Sequence, residues 1–197
     1  MKRIFIILPF VFGLILLPYL TMALNVKSML PTNANHVKDA KINNNSLIEK
    51  ACINSKHNKL CIQTLKSQPG SENADIKTLA FMSLNVTMTY GVDVANWITE
   101  KLEDPELGPQ IEQALTDCSD QYTDAIAQLE DSLVAFFSNA LNDVKTWTLT
   151  ALTNAKTCQE GLKGENVEDV MGKRNQDFSE YCSISLGVID ELAKQKL

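Results

Sequence analysis

Among the 197 residues of this chain, the side chains with the most reactive chemistry are five cysteines and two histidines. The cysteines are Cys52, Cys61, Cys118, Cys158 and Cys182; the histidines are His36 and His57. A zinc site needs closely spaced nitrogen and sulfur ligands, and no Cys-x-x-Cys occurs here. A nucleophilic Cys182 would need a base beside it, and none is in view; it reads as a small apolar core residue. His36 falls in a polar N-terminal stretch and His57 in a turn, so neither is placed for acid/base work. The many carboxylates fall at outward helix positions, where solvated acids of ordinary strength are expected. There is no glycine-rich phosphate loop. The sequence offers no catalytic residue, no metal ligand and no cofactor site.

What the cysteines can do is pair. Cys52 and Cys61 flank Ile53 to Leu60, a polar, turn-prone stretch across which they can join. Cys118 lies twenty residues before Ser138 and Cys158 twenty after it. In an antiparallel helical hairpin turning at Phe137-Ser138-Asn139, the two stand at the same height and on the inward stripes, as a disulfide requires. Cys158 with Cys182 is the rival pairing and suits a turn near position 170. The symmetry about Ser138 favours Cys118–Cys158. Closing that loop of 40 residues contributes about 4 kcal/mol on the chain-entropy view.

Disulfides imply an oxidising compartment, and the N-terminus agrees. Met1-Lys2-Arg3 precedes an apolar run, Ile4 to Leu20, and the small residues of Thr21-Met22-Ala23 follow. Residues 1–23 read as a secretory signal peptide, with Pro9 and Pro18 arguing against a spanning anchor. No later run could cross a bilayer, so no membrane contact is expected after cleavage. Loss of Lys2 and Arg3 takes the formal charge from −6 to −8. That excludes nucleic acid as a natural ligand. The charge is also uneven. From Leu102 to Val144 there is no Lys or Arg, while ten acids fall there: Glu103, Asp104, Glu106, Glu112, Asp117, Asp120, Asp124, Glu130, Asp131 and Asp143. Such a run is either a solvated helix face or a surface that meets a basic partner.

The elements that position these residues follow from hydrophobic periodicity. Residues 24–43 are polar and aperiodic, a loose N-terminal segment. Residues 44–197 form the folded domain. Within it, 44–68 read as a helical hairpin around Cys52 and Cys61, too small to bury its own apolar face. Residues 72–196 hold four long helices. The first runs from about Ala74 to Leu102, with Phe81, Leu84, Met88, Gly91, Ala95, Ile98 and Leu102 inward. Gly91 suggests close helix packing, and Trp97 a core or rim position. After Pro105 and Pro109, the second helix carries Ile111, Leu115, Cys118, Tyr122, Ala125, Leu129, Leu133 and Phe136 inward. The third carries Leu141, Val144, Thr148, Ala151, Ala155, Cys158 and Leu162. A polar link, Glu165 to Gly172, leads to a last helix with Phe178, Tyr181, Ser185, Val188 and Leu192 inward and Cys182 beside that stripe. No period-two alternation occurs, so no sheet is expected. The prediction is an all-α fold: an up-down-up-down four-helix bundle with an N-terminal disulfide-linked helical hairpin. Asn44-Asn45-Ser46 and Asn85-Val86-Thr87 are glycosylation sequons, at Asn44 and Asn85.

Certain residues carry a resemblance. Leu47-Ile48-Glu49-Lys50-Ala51-Cys52, Leu60-Cys61, Leu115-Thr116-Asp117-Cys118 with Tyr122 and Asp124-Ala125, Val144-Lys145-Thr146-Trp147, Ala151-Leu152-Thr153-Asn154, Thr157-Cys158 and Lys173-Arg174-Asn175-Gln176-Asp177-Phe178 together resemble the plant invertase and pectin methylesterase inhibitor family. The likeness runs from about Leu47 to Leu192, and the cysteine spacings are its most specific feature. It implies disulfides Cys52–Cys61 and Cys118–Cys158 with Cys182 as a free thiol. It also implies a secreted monomer of the apoplast or cell wall, with the vacuole as a further location. Such a protein blocks an enzyme's active-site cleft in a 1:1 complex. Some invertase inhibitors carry Pro-Lys-Phe ahead of the fourth cysteine. Leu141-Asn142-Asp143 stands there in this chain, which favours pectin methylesterase as partner over invertase. A secreted binding or storage bundle without inhibitory activity is the other reading. The resemblance places the binding face on the middle helices. Outward positions there are Asp117, Asp120, Gln121, Asp124 and Gln128 on one helix and Thr146, Thr150 and Thr153 on the next.

Overall fold

The computed structural model describes residues 44–163 and 168–195, with the backbone alone for 44–46 and 168–170. The predicted signal peptide at 1–23, the predicted loose segment at 24–43 and the side chain of Asn44 lie outside the described residues. Among the described residues six α-helices follow in order: α1 (Asn44–Ala51), α2 (Asn58–Lys66), α3 (Ile76–Leu102), α4 (Pro109–Phe137), α5 (Leu141–Gly161) and α6 (Glu168–Lys194). A short 3-10 turn, Ser71–Asn73, links α2 to α3. The described residues contain no strand.

The long helices start and stop for local reasons. Asp75 caps α3 by accepting from the Thr78 backbone N–H at 2.7 Å. Pro109 opens α4, where its missing N–H and fixed φ cost nothing. The α4–α5 turn is a Schellman closure. Asn139 adopts φ 57°, while Ala140 N–H donates to Ala135 O at 2.9 Å and Asn139 N–H to Phe136 O at 3.0 Å. Asparagine is among the few non-glycine residues that tolerate this left-handed position. The turn therefore sits at Ser138 to Ala140, next to its predicted place. The last helix differs more. It begins at Glu168, inside the predicted polar link, because that stretch lacks proline and its glycine is no barrier to helix.

Each of the four long helices packs on its neighbour in the chain, most extensively α4 on α5, and α6 closes the ring on α3. This is the up-down-up-down bundle. α1 and α2 pack on α3 and α6. The hairpin loop reaches α6 at three points. Asn54 Nδ2 donates to Glu191 Oε2 at 2.9 Å. His57 Nδ1 lies 3.8 Å from Glu180 Oε2. The Ser55 backbone comes so close to Gly187 that a Cβ there would fall 2.9 Å from Ser55 Cα. Gly187 is thus the contact through which the small unit leans on the bundle.

The core divides into two apolar clusters. One joins Ile48, Ala51, Cys52, Cys61 and Leu65 of the hairpin to Leu79, Leu84, Phe136, Val144, Val188 and Leu192. The other holds Val94, Ile98, Leu115, Cys118, Tyr122, Leu129, Ala155, Cys158, Phe178 and Cys182. Between them each long helix contributes one fully buried hydroxyl: Thr87, Ser132, Thr148 and Ser185, all at 0% exposure. They pair across helices. Thr87 Oγ1 and Ser185 Oγ are 2.9 Å apart, and so are Ser132 Oγ and Thr148 Oγ1. Further bonds to Ser83 O and Val144 O leave no hydroxyl hydrogen stranded. The threonine that filled the gap in the predicted α5 stripe is one of these four.

The inward stripes of α4 and α5 run as predicted, except that Ile111, Leu133 and Leu141 are half-buried and Ser132 is deep. The stripe of α3 is turned. Ser83, Thr87 and Val94 are buried, while Phe81, Met88, Ala95 and Leu102 are half-buried. On α6, Tyr181 is half-buried and Cys182 is in the core. Gly91 is where α3 and α6 meet most closely: a Cβ there would lie 2.8 Å from the Phe178 ring.

The hydroxyl layer makes a checkable prediction. Ser132→Ala alone strands the buried Thr148 hydroxyl and is expected to cost about 1–3 kcal/mol. Adding Thr148→Val removes the stranded group, so the double change should cost less than the sum of the singles. Urea unfolding of the four proteins measures the coupling; additivity to within about 0.5 kcal/mol would show that the pair is not coupled.

Candidate functional site: the α4–α5 face

The site is a surface resting on a stapled seam. Cys118 and Cys158 are disulfide-bonded with their Cα atoms 4.7 Å apart, so α4 and α5 meet closely along one line. Cys52 and Cys61 form the second disulfide, with Cα atoms 5.7 Å apart. Cys182 is a free cysteine at 0% exposure. Burial pushes its thiol well above the ordinary cysteine range, so thiolate chemistry is closed to it.

Beneath the seam a polar clasp ties three helices together. Tyr122 on α4 donates its hydroxyl to Asn175 Oδ1 on α6 at 3.0 Å. Asn175 Nδ2 donates to Ala155 O on α5 at 2.9 Å and to Gln159 Oε1 at 3.0 Å. Asn175 is 2% exposed, and its bonds to Tyr122 and Ala155 are made away from water and are costly to break. Sequence reasoning gave Asn175 no role, although it lay inside the quoted motif. A polar residue one turn before the inward Phe178 was the available signal.

On the solvent side of α4, Asp117, Asp120 and Asp124 are exposed. Gln121 and Gln128 were predicted to point outward but are half-buried, because they lie on the flank of α4 that turns toward α5. Gln121 follows Cys118 by one turn and Gln128 precedes Ser132 by one, and both of those residues bond α5. Gln128 Oε1 is buried without a hydrogen-bond partner. Asp117 accepts from Gln113 Nε2 at 2.8 Å, one turn away. Among the described residues, none of the ten acids between Leu102 and Val144 is in an ion pair. The cation that α5 carries at Lys145 is committed on the other side, to Asp190 of α6 at 2.6 Å.

The threonines of α5 already have their hydroxyl hydrogens committed within the helix. Thr146 and Thr153 are exposed and Thr150 half-buried. Each donates its hydroxyl to the carbonyl one turn back, at 3.0, 2.9 and 2.9 Å in the order Thr146, Thr150, Thr153. What they show outward is a methyl and oxygen lone pairs, so they suit a partner's donors. The row fits a surface made of acceptors throughout.

The remaining flank, α3 with α6, is occupied. Trp97 is half-buried with the Arg174 guanidinium 4.5 Å from its ring and Lys101 Nζ at 5.9 Å, which settles it as a rim residue. Tyr90 donates to Asp177 Oδ2 at 3.3 Å. Burial first, then the Asp177 carboxylate, push its pKa up to about 12; burial drives Tyr122 up further. Both shifts favour the protonated phenol in the fold. Stability from them is therefore whole below the ordinary tyrosine value near 10 and is lost as pH rises through the folded values. A spectrophotometric alkaline titration should show Tyr122 ionising only with unfolding. Its early titration, in a still-helical protein, would contradict the buried clasp.

Among the described residues no group of three or more His, Cys, Asp or Glu side chains could hold a metal ion. A shallow depression lined by Asn139, Ala140, Leu141, Asn142 and Asp143 marks the α4–α5 tip. No described helix is long and apolar enough to cross a membrane. A stapled bundle with one open, uncompensated acidic face is a protein of surface recognition.

Comparison with known proteins makes that class specific. The family model of plant invertase/pectin methylesterase inhibitor matches residues 46–188, and the chain belongs to that family. It is an enzyme inhibitor, not an enzyme. An Arabidopsis thaliana protein named cell wall / vacuolar inhibitor of fructosidase 2 is 27% identical over 168 residues, 84% of this chain and 93% of the relative. A pectinesterase inhibitor of Actinidia deliciosa is 26% identical over 156 residues, 77% of this chain and 82% of that one. In fold, the crystal structure of a mutant form of a pectin methylesterase inhibitor from Arabidopsis superposes with TM-score 0.63. It has 21% identity and covers 71% of this chain and 92% of that chain.

Proposed function

We propose that this protein inhibits pectin methylesterase by laying its α4–α5 face over the enzyme's active-site cleft, one monomer to one enzyme, in the cell wall. The vacuole is the further location. The observation that carries this reading is the acidic row Asp117, Asp120 and Asp124, exposed and without a cation partner among the described residues. Enzymes that stay on anionic pectin are often basic, and opposite charge steers such partners together. The free acceptors of Thr146, Thr150 and Thr153 and the flanking Gln121 suit lysine and arginine donors at the same edge. The rigid seam beneath lets the face bind without first ordering itself, which lowers the cost of association.

The test is an activity assay of purified mature protein against a pectin methylesterase and an invertase, across the acidic pH range. Pectin methylesterase activity should fall to a plateau at one inhibitor per enzyme. If neither enzyme loses activity, the chain is a binding or storage bundle instead. Inhibition of invertase alone is the second reading, favoured by the Arabidopsis relative named as an inhibitor of fructosidase.

A further inference from the structure

We propose that Asn85 carries an N-linked oligosaccharide, and that it is attached before the bundle closes because folding itself buries the acceptor motif. Asn85 is exposed in the middle of α3. Its motif is complete: Asn85, Val86, Thr87. The third residue is the unusual one. Thr87 is 0% exposed, and its Oγ1 is held between Ser83 O at 3.0 Å and Ser185 Oγ at 2.9 Å.

The motif demands that hydroxyl, so the transferring enzyme must reach it. In the folded chain it cannot, and the backbone on both sides is committed to helix. The group that seals Thr87 lies 98 residues later, on α6. At about 5–20 residues per second, synthesis leaves a window of about 5–20 s before Ser185 exists. Thr87 therefore serves twice: first as an open acceptor hydroxyl, then as a member of the buried layer.

The step needs a polyisoprenyl-pyrophosphate-linked oligosaccharide as co-reactant. The Asn85 amide nitrogen bonds to C1 of the terminal N-acetylhexosamine, and the C1–O bond to pyrophosphate breaks. The lipid pyrophosphate leaves with the electron pair, and one amide proton is lost to a base of the transferring enzyme. No oxidant or reductant is required.

The placement suits the rest of the molecule. Asn85 sits on α3, outside the α4–α5 face.

The full chain expressed in plant cells, as wild type, Asn85→Gln, Asn44→Gln and Thr87→Ser, tests this by intact mass before and after peptide N-glycosidase. Wild type and Thr87→Ser should each lose one glycan that Asn85→Gln lacks, whatever the occupancy of Asn44. Equal losses from wild type and Asn85→Gln would overturn the site. The timing is tested with protein made in bacteria, offered to plant or yeast microsomes with the lipid-linked donor. Folded protein should stay unmodified at Asn85, and reduced, unfolded protein should gain a glycan there. Modification of the folded protein to the same extent would overturn the order of events.

Discussion

Replacing Cys118 and Cys158 together by serine should lower unfolding stability by about 4 kcal/mol, within a range of about 2–5, the largest loss expected from any small change here. The bond closes a loop of sequence separation 40, and its loss frees the unfolded chain. It also lets α4 and α5 slide along the line where they now meet. Cys52 and Cys61, at separation 9, close a shorter loop worth about 2.5 kcal/mol on the same view. Cys182→Ala only trims a buried side chain and should cost about 1 kcal/mol. Double replacements are used so that no new thiol can exchange with Cys182. Chemical denaturation of the three variants should therefore rank them in that order. Equal midpoints for the Cys118/Cys158 variant and wild type would show that seam packing alone sets the register. Inhibition should follow stability in this series, and peptide mapping of wild type should find Cys182 as a thiol.

Replacing Asp117, Asp120 and Asp124 together by Asn should slow association with a basic pectin methylesterase by about tenfold at low salt, and by far less at high salt. The three are exposed and meet no cation among the described residues, so their field is directed at solvent and at whatever approaches. Dissociation should change little, since rim charges act chiefly on encounter. The changes are isosteric and lie off the buried stripe, so stability should move by less than about 0.5 kcal/mol. Surface plasmon resonance at two salt concentrations separates the effects. An association rate equal to wild type at both would leave the acids as solubilising groups only, without touching the family assignment.

Much of this molecule is legible in its sequence because its strongest constraints are local or symmetric. Helical period alone places Leu115, Cys118, Tyr122, Ala125 and Leu129 inward on α4, and Val144, Thr148, Ala151, Ala155 and Cys158 inward on α5. These two helices are neighbours in the chain with a short turn between them. Which residues face each other then follows from counting outward from Ser138. The acidic run of α4 is equally plain, since outward positions in a long helix are the complement of inward ones.

Tertiary structure alone decided the contacts between elements distant in the chain. The rotation of α3 was misjudged because its stripe holds apolar residues on two flanks, and the choice between Met88 and Thr87 depends on Ser185, 98 residues away. Asn175 went into the core for the same reason: α6 must face α3, α4 and α5 at once, which widens its buried arc beyond one stripe. The docking of Ser55 on Gly187 has no local signature either, since a glycine in a helix says that something comes close but not what. Periodicity tells a helix which side is dry. It cannot say which other helix keeps that side dry, because that choice is settled by the shapes and hydrogen bonds of groups that meet only when the ring closes.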